Sequence, residues 1–180
     1  SSSGNVILGV GTGHVAADIS YAVVIGNNAG YQLTGTEATA PDNVILIGYR
    51  AGRLFTSGSG NTVIGDNAFY SAGARQYNTV MGSGAMYDAT TASKNVSIGY
   101  QTLANLTTGD SNVAIGYQAA DALTTGFKNV AIGDSALSSD DVGAGHIAIG
   151  GNALVTQNFA SVNNEFEANI SIGNKSSHNN

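Results

Sequence analysis

The fold is indicated by residues 112–119, which read NVAIGYQA and return one repeat later, at 129–136, as NVAIGDSA. The shared mark is an apolar residue followed by glycine, and this pair occurs ten times. The steps from each of these glycines to the next are 17, 22, 17, 17, 17, 17, 17, 17 and 23, through Gly9, Gly26, Gly48, Gly65, Gly82, Gly99, Gly116, Gly133, Gly150 and Gly173. A fixed period of this kind is the signature of a stacked repeat architecture. The two longer steps predict insertions near 36–42 and 158–167.

Within one repeat the spacing of residues favours β-structure. Val130 and Ile132 are two residues apart, so they share one face of a strand. An Asn four residues before most of the glycines, and the glycine itself, supply turn chemistry at the two ends. A second segment carries an apolar residue seven places past the glycine and closes with Thr-Thr-Gly at 107–109 and 124–126. Two strands of four to six residues and two turns then fill the period and leave no room for a helix.

We therefore predict an all-β protein, a parallel β-roll or β-solenoid of about ten coils that forms a single domain over residues 1–180. Coils that pair in parallel at ~4.8 Å give a rod of roughly 43 Å over nine steps. Equivalent side chains then lie above one another. We expect the isoleucines of the apolar–glycine pair to form a stacked row that packs in the core or between chains: Ile64, Ile98, Ile115 and Ile132.

A further apolar row predicts association between chains. In five repeats position four past the glycine holds a large apolar residue, among them Leu103 and Leu137, and position three is an alanine in most repeats. Strand alternation puts these two positions on opposite faces. A single coil of this short repeat is too small to bury both rows. We expect one of them to pack against another chain, since an apolar stripe left in water is an association site.

The repeats resemble those of a known group of proteins. The sequences NVAIG at 129–133 and IGYQA at 115–119 are similar to the repeats of trimeric phage tail fibres and of the related heads of trimeric autotransporter adhesins. The resemblance extends from Asn5 to Asn174 and includes six consecutive 17-residue steps. It implies a left-handed β-roll, three chains around a shared apolar axis, and attachment to cell surfaces. The resemblance thus places the protein outside the cell, on a virion or a cell surface.

Composition argues against several classes of function. The net charge is −6 with only six Lys and Arg residues, so the chain has no cationic stripe for nucleic acid or for an anionic membrane. No apolar run approaches the ~18 residues of a membrane span. The absence of cysteine excludes disulfides, thiolate zinc sites and a cysteine nucleophile.

Residues that could support catalysis or metal binding are explained by the repeat. Ser135 follows Gly133 and Asp134 as a hydrolase nucleophile could, but other repeats place unrelated residues in that slot. The three histidines share no metal-ligand spacing, and only Asp140 and Asp141 are locally dense acids, whereas calcium needs six to eight oxygens. We expect no catalytic residue, no metal site and no cofactor, and therefore no enzyme.

Candidates for ligand binding are the aromatic residues and the insertions. An aromatic face can stack on a sugar ring while polar neighbours donate and accept hydrogen bonds. The sequence offers Phe159, Asn163, Asn164 and Phe166 in the second insertion, and Tyr100 and Tyr117 just past the repeat glycine. Packing between coils or chains is the alternative for the tyrosines, and a tolerated insertion is the alternative for the loop.

The leading hypothesis is a homotrimeric fibre segment that attaches to a host surface, through glycan or another receptor. The second is a structural spacer or filament subunit with no ligand. The third is ice binding, because Thr90-Thr91, Thr107-Thr108 and Thr124-Thr125 present hydroxyls at strand spacing.

Overall fold

The computed structural model describes residues 4–12, 19–33, 42–71, 73–155 and 168–176, and in these residues the structure is all-β with no helix. Ten strands form one sheet and two short strands form another. The strands are β1 (Val6–Leu8), β2 (Val23–Ile25), β3 (Ile45–Ile47), β4 (Phe55–Ser57), β5 (Thr62–Ile64), β6 (Gly73–Ala74), β7 (Thr79–Met81), β8 (Val96–Ile98), β9 (Val113–Ile115), β10 (Val130–Ile132), β11 (Ile147–Ile149) and β12 (Ile170–Ile172).

The strands of the large sheet stack in sequence order, and every neighbouring pair is parallel. In β9 and β10, Val113 pairs with Val130 and Ile115 with Ile132, so the register follows the 17-residue repeat. The chain is therefore a parallel β-solenoid of about eight turns, and the predicted all-β class and stacking are confirmed. The count of ten coils and the handedness stay predictions. Of the predicted insertions, residues 36–41 and 158–167 lie outside the described part of the chain.

The second segment of the coil differs from the prediction of a second strand. Only β4 and β6 pair in this region of the described coils, and the strands of the large sheet have three residues rather than four to six. The reason is a run of left-handed backbone conformations. Gln118 has φ 49° and Ala120 has φ 51°, and each bends the chain into a turn. Backbone hydrogen bonds still link the coils there, as from Ala120 N to Ala136 O at 2.9 Å.

The large residues at position four lie inside their own chain, which corrects the prediction that either this row or the alanine row would pack against another chain. Leu103 and Leu137 are fully buried, as are the alanines at position three of most coils. Position four has a left-handed backbone, with φ 50° at Leu103 and 57° at Leu137. Strand alternation therefore does not apply, and positions three and four both point inwards.

The isoleucines of the apolar–glycine pairs lie on the outer face of the coil and not in the core of their own chain. That they pack between chains stays a prediction. In β9, Ala114 is buried, whereas Val113 and Ile115 are only partly buried. Because successive side chains alternate, a three-residue strand that turns its central residue inwards must turn the two flanking residues outwards. Ile64, Ile98, Ile115 and Ile132 therefore belong to the outward face of the large sheet.

The repeat glycine is required by close approach of the coils. Gly116 has φ 138°, which an L side chain rarely adopts, and a Cβ there would lie 2.4 Å from the carbonyl oxygen of Gly133. Equivalent contacts, of 2.1–2.6 Å to the next glycine oxygen, occur from Gly9 to Gly150. Any larger residue would push two coils apart at this column.

Candidate functional site

An apolar stripe runs along the outward side of the large sheet. We define the outer sheet face as the outward first and third residues of its ten strands. Eighteen of these twenty residues are Val, Ile, Leu or Met, and Thr62 and Thr79 are the others. The two columns lie ~7 Å apart over ~43 Å, on the order of 300 Å² of continuous apolar surface. The largest apolar patch of a typical single chain has a similar size, and such patches are often functional.

Exposure is greatest at the ends of this stripe. Leu8 is 65% exposed and Ile172 is 67% exposed, whereas the central isoleucines are half-buried by their neighbours in the column. Met81 interrupts the isoleucine column and is 39% exposed. The stacked arrangement thus holds these side chains in an ordered row.

Behind this face, a ladder of buried asparagines fixes the register of the coils. Asn112 Oδ1 accepts hydrogen bonds from Asn129 N at 3.0 Å and from Asn129 Nδ2 at 3.2 Å. Asn112 Nδ2 donates to Asn95 Oδ1 at 3.1 Å and to Gly126 O at 2.9 Å. The same pattern joins Asn61, Asn78 and Asn95. We expected turn formation from these residues, and the structure shows in addition a continuous amide network between coils.

His146 replaces asparagine in this ladder and is paired with a buried carboxylate. Its backbone N donates to Asn129 Oδ1 at 2.8 Å, and its Nδ1 accepts from Asn169 N at 3.1 Å. His146 Nε2 lies 3.4 Å from Asp140 Oδ2, and both side chains are buried. Asp140 occupies the position that Leu123 has one coil earlier. The acid that suggested local carboxylate density is therefore part of the core.

Arg75 is another buried charge. Its Nη2 donates to the carbonyls of Ser71 and Ala89, and its guanidinium lies 4.4 Å from the Phe69 ring centroid. Burial lowers the pKa of Arg75 from its ordinary value to about 9. The side chain enters the core close to Ala89, where Leu106 stands one coil later, so it occupies space that a larger apolar residue fills elsewhere.

The two tyrosines proposed as a glycan site are brought together. Tyr100 and Tyr117 stack with ring centroids 5.3 Å apart and planes inclined by 14°, and each is about half exposed. Gln118 Nε2 donates to Gln101 Oε1 at 3.1 Å beside them. One face of each ring is therefore covered by the other ring. The remaining proposed residues, Phe159, Asn163, Asn164 and Phe166, lie outside the described residues.

The first and second threonines of the Thr-Thr pairs differ in their surroundings. The first threonine of each pair donates to a backbone carbonyl of the next coil: Thr90 to Thr107 O at 3.0 Å, Thr107 to Thr124 O at 2.9 Å and Thr124 to Asp141 O at 2.8 Å. Those hydroxyl protons are engaged within the chain. The second threonines, at 91, 108 and 125, are exposed and occupy equivalent positions in successive coils.

A cavity of about 350 Å³ opens beside this row, and we call it the flank cavity. It combines hydroxyl, charged and aromatic groups from two successive coils, so no single stretch of sequence marks it. Its lining is Thr108, Gly109, Asp110, Ser111, Thr125, Phe127 and Lys128.

Among the residues that the structure describes, no group of three or more His, Asp or Glu side chains is placed to hold a metal ion. The same residues include no helix that could cross a membrane. The chain matches no family model, no curated protein and no solved structure.

Proposed function

We propose that this chain is a segment of a homotrimeric fibre, left-handed in its winding, which is exposed on a virion or cell surface and contributes to attachment to a host cell. The role is structural and adhesive and involves no catalysis. The protein requires no cofactor and does not bind nucleic acid or insert into a membrane in this proposal.

The outer sheet face is the observation that carries the proposal. A rod whose apolar columns run along one face on every coil can bury them along its whole length against parallel copies of itself. Three copies follow from the resemblance of the NVAIG repeats to trimeric fibres and adhesin heads. The neighbouring columns at Val113 and Ile115 would then meet around a central axis.

Assembly is tested by mass in solution. Multi-angle light scattering at micromolar protein should give about 54 kDa, three times the chain mass of 18.1 kDa. Ile115→Asp should lower the trimer fraction, because it places a charge in an apolar interface. Thr125→Asp is the matched control, since Thr125 is exposed on the flank. A wild-type mass equal to that of one chain, or equal loss of trimer in both variants, would contradict the interface.

Attachment is tested separately from assembly. Fluorescently labelled wild-type trimer should bind a subset of glycans on a surface array, and three copies strengthen a weak single site through avidity. Intact trimer that binds neither glycans nor bacterial and animal cells would favour the spacer function. Thermal hysteresis in ice-growth assays would instead favour ice binding through Thr91, Thr108 and Thr125.

A further inference from the structure

The flank cavity lies where the repeat is interrupted by chemically distinct side chains. Position eleven past the glycine places Asp110 and Phe127 one coil apart in the same column. The other described residues of that column are Ser20, Asp42, Ser59, Gln76, Ser93 and Ala144, and none of them is aromatic. A carboxylate directly beside an aromatic ring therefore occurs once in this column among the described residues. A specific binding site needs side chains that occur once, because the other surfaces of the rod repeat from coil to coil.

The carboxylate of the cavity is held in place. Asp110 Oδ1 accepts a hydrogen bond from Ser93 N at 2.6 Å, which fixes the carboxylate against the preceding coil. Phe127 is half-buried, and Lys128 Nζ lies 5.9 Å from its ring centroid. Ser111 is the small residue between Lys94 and Lys128 in the adjoining column, and its small size leaves the cavity open to solvent.

These groups define a ligand class. One carboxylate and one ammonium line the cavity, so their charges offset and favour a neutral ligand. Asp110 can accept from hydroxyl groups, whereas Lys128 donates to hydroxyl oxygens and Thr108 and Thr125 can do either. Phe127 offers an apolar ring to the C–H face of a sugar. The volume falls in the range of small-molecule sites.

We propose that the flank cavity binds a neutral pyranose unit of a surface glycan. This inference rests on the adhesive function proposed above and assigns it a site distinct from the second insertion. A shallow site of this size binds one sugar weakly, and three copies per fibre supply the avidity that attachment needs.

The test is saturation-transfer NMR on the assembled protein with the methyl glycosides of glucose, galactose, mannose and N-acetylglucosamine, and with N-acetylneuraminic acid as the acidic comparison. At least one neutral glycoside should receive saturation, with affinity reduced tenfold or more by Phe127→Ala and by Asp110→Asn. Asp110→Asn keeps the acceptor for Ser93 N, so it tests the carboxylate without changing the shape. Gln76→Ala is the matched control, three coils before Phe127 in the same column.

Each outcome decides the inference. It is overturned if no neutral glycoside binds, if only the acidic sugar binds, or if correctly assembled Phe127→Ala and Asp110→Asn bind as wild type does. The glycan array separates this failure from that of the adhesive function: array binding that both variants retain leaves attachment standing and places its site elsewhere. A wild-type trimer that binds no glycan on the array and no glycoside in solution removes both.

Discussion

Replacing one asparagine of the buried ladder should destabilise the fold far more than replacing an exposed asparagine of the neighbouring coil. Asn112→Ala removes the amide that joins three coils. Asn129 N loses its 3.0 Å acceptor and Gly126 O loses its 2.9 Å donor. Asn95 Oδ1 keeps the bond from residue 112 N, which is 2.8 Å long in the wild type. Two buried backbone groups are thus left unsatisfied.

The expected loss of unfolding free energy follows from the number of unsatisfied buried groups. A buried polar group without a partner costs ~1–3 kcal/mol, so two of them predict a loss of about 2–6 kcal/mol per chain. Asn105→Ala is the control, because Asn105 is exposed and its Nδ2 donates only to Asp121 O at 2.8 Å, a carbonyl that also accepts from Asn105 N. The loss of unfolding free energy for Asn105→Ala should stay within about 0.5 kcal/mol.

Urea unfolding followed by far-ultraviolet circular dichroism at one fixed protomer concentration measures both variants. Fixed concentration is needed because assembly shifts apparent stability. Midpoints for Asn112→Ala and Asn105→Ala that agree within error would refute the reasoning, since the ladder would then contribute no more than a surface side chain.

Two further substitutions test the glycine column and the buried arginine. Gly116→Ala should destabilise the fold by several kcal/mol in the same unfolding assay, because its Cβ meets Gly133 O at 2.4 Å. Gly151→Ala is the control and should be nearly neutral, because the atom nearest to its Cβ would be 3.9 Å away. Similar unfolding midpoints for the two variants would contradict the close approach of the coils at Gly116. The pKa of Arg75 is lowered in the fold, so the unfolded state keeps the proton to higher pH than the folded state does. The free energy of unfolding of the wild type, relative to that of Arg75→Met, should therefore rise by about 1–2 kcal/mol between pH 8 and 10.5. A pH-independent difference between those two proteins would show that Arg75 is not desolvated.

The sequence was sufficient to predict the stack but not the direction of its side chains. The 17-residue spacing of Gly116 and Gly133 predicted parallel coils in register, because a fixed period leaves equivalent residues above one another. Alternation then failed at Leu137, since a non-glycine residue in the left-handed conformation carries no mark in the sequence. Ile132 is as apolar as a core residue, and only the inward turn of Ala131 shows that it faces out.

The candidate site was partly predictable for the same reasons. Tyr100 and Tyr117 occupy equivalent positions in successive repeats, so their stacking follows from the period. The pairing of His146 with Asp140 requires knowing that both positions point into the core. The flank cavity depends on the small size of Ser111, and a small residue carries no chemical signal in the sequence.

The in-register stacking of coils also determines how the rod would yield to force. Tension along the rod axis acts across the hydrogen bonds between coils, and each coil contacts only its neighbours, so coils should detach one after another from the ends. A detached 17-residue coil can extend to ~55–60 Å, whereas it occupied ~4.8 Å in the stack. The asparagine ladder lies parallel to that tension and resists each step. A solenoid of this kind would lengthen roughly tenfold before its chain was taut, so it would be extensible under load.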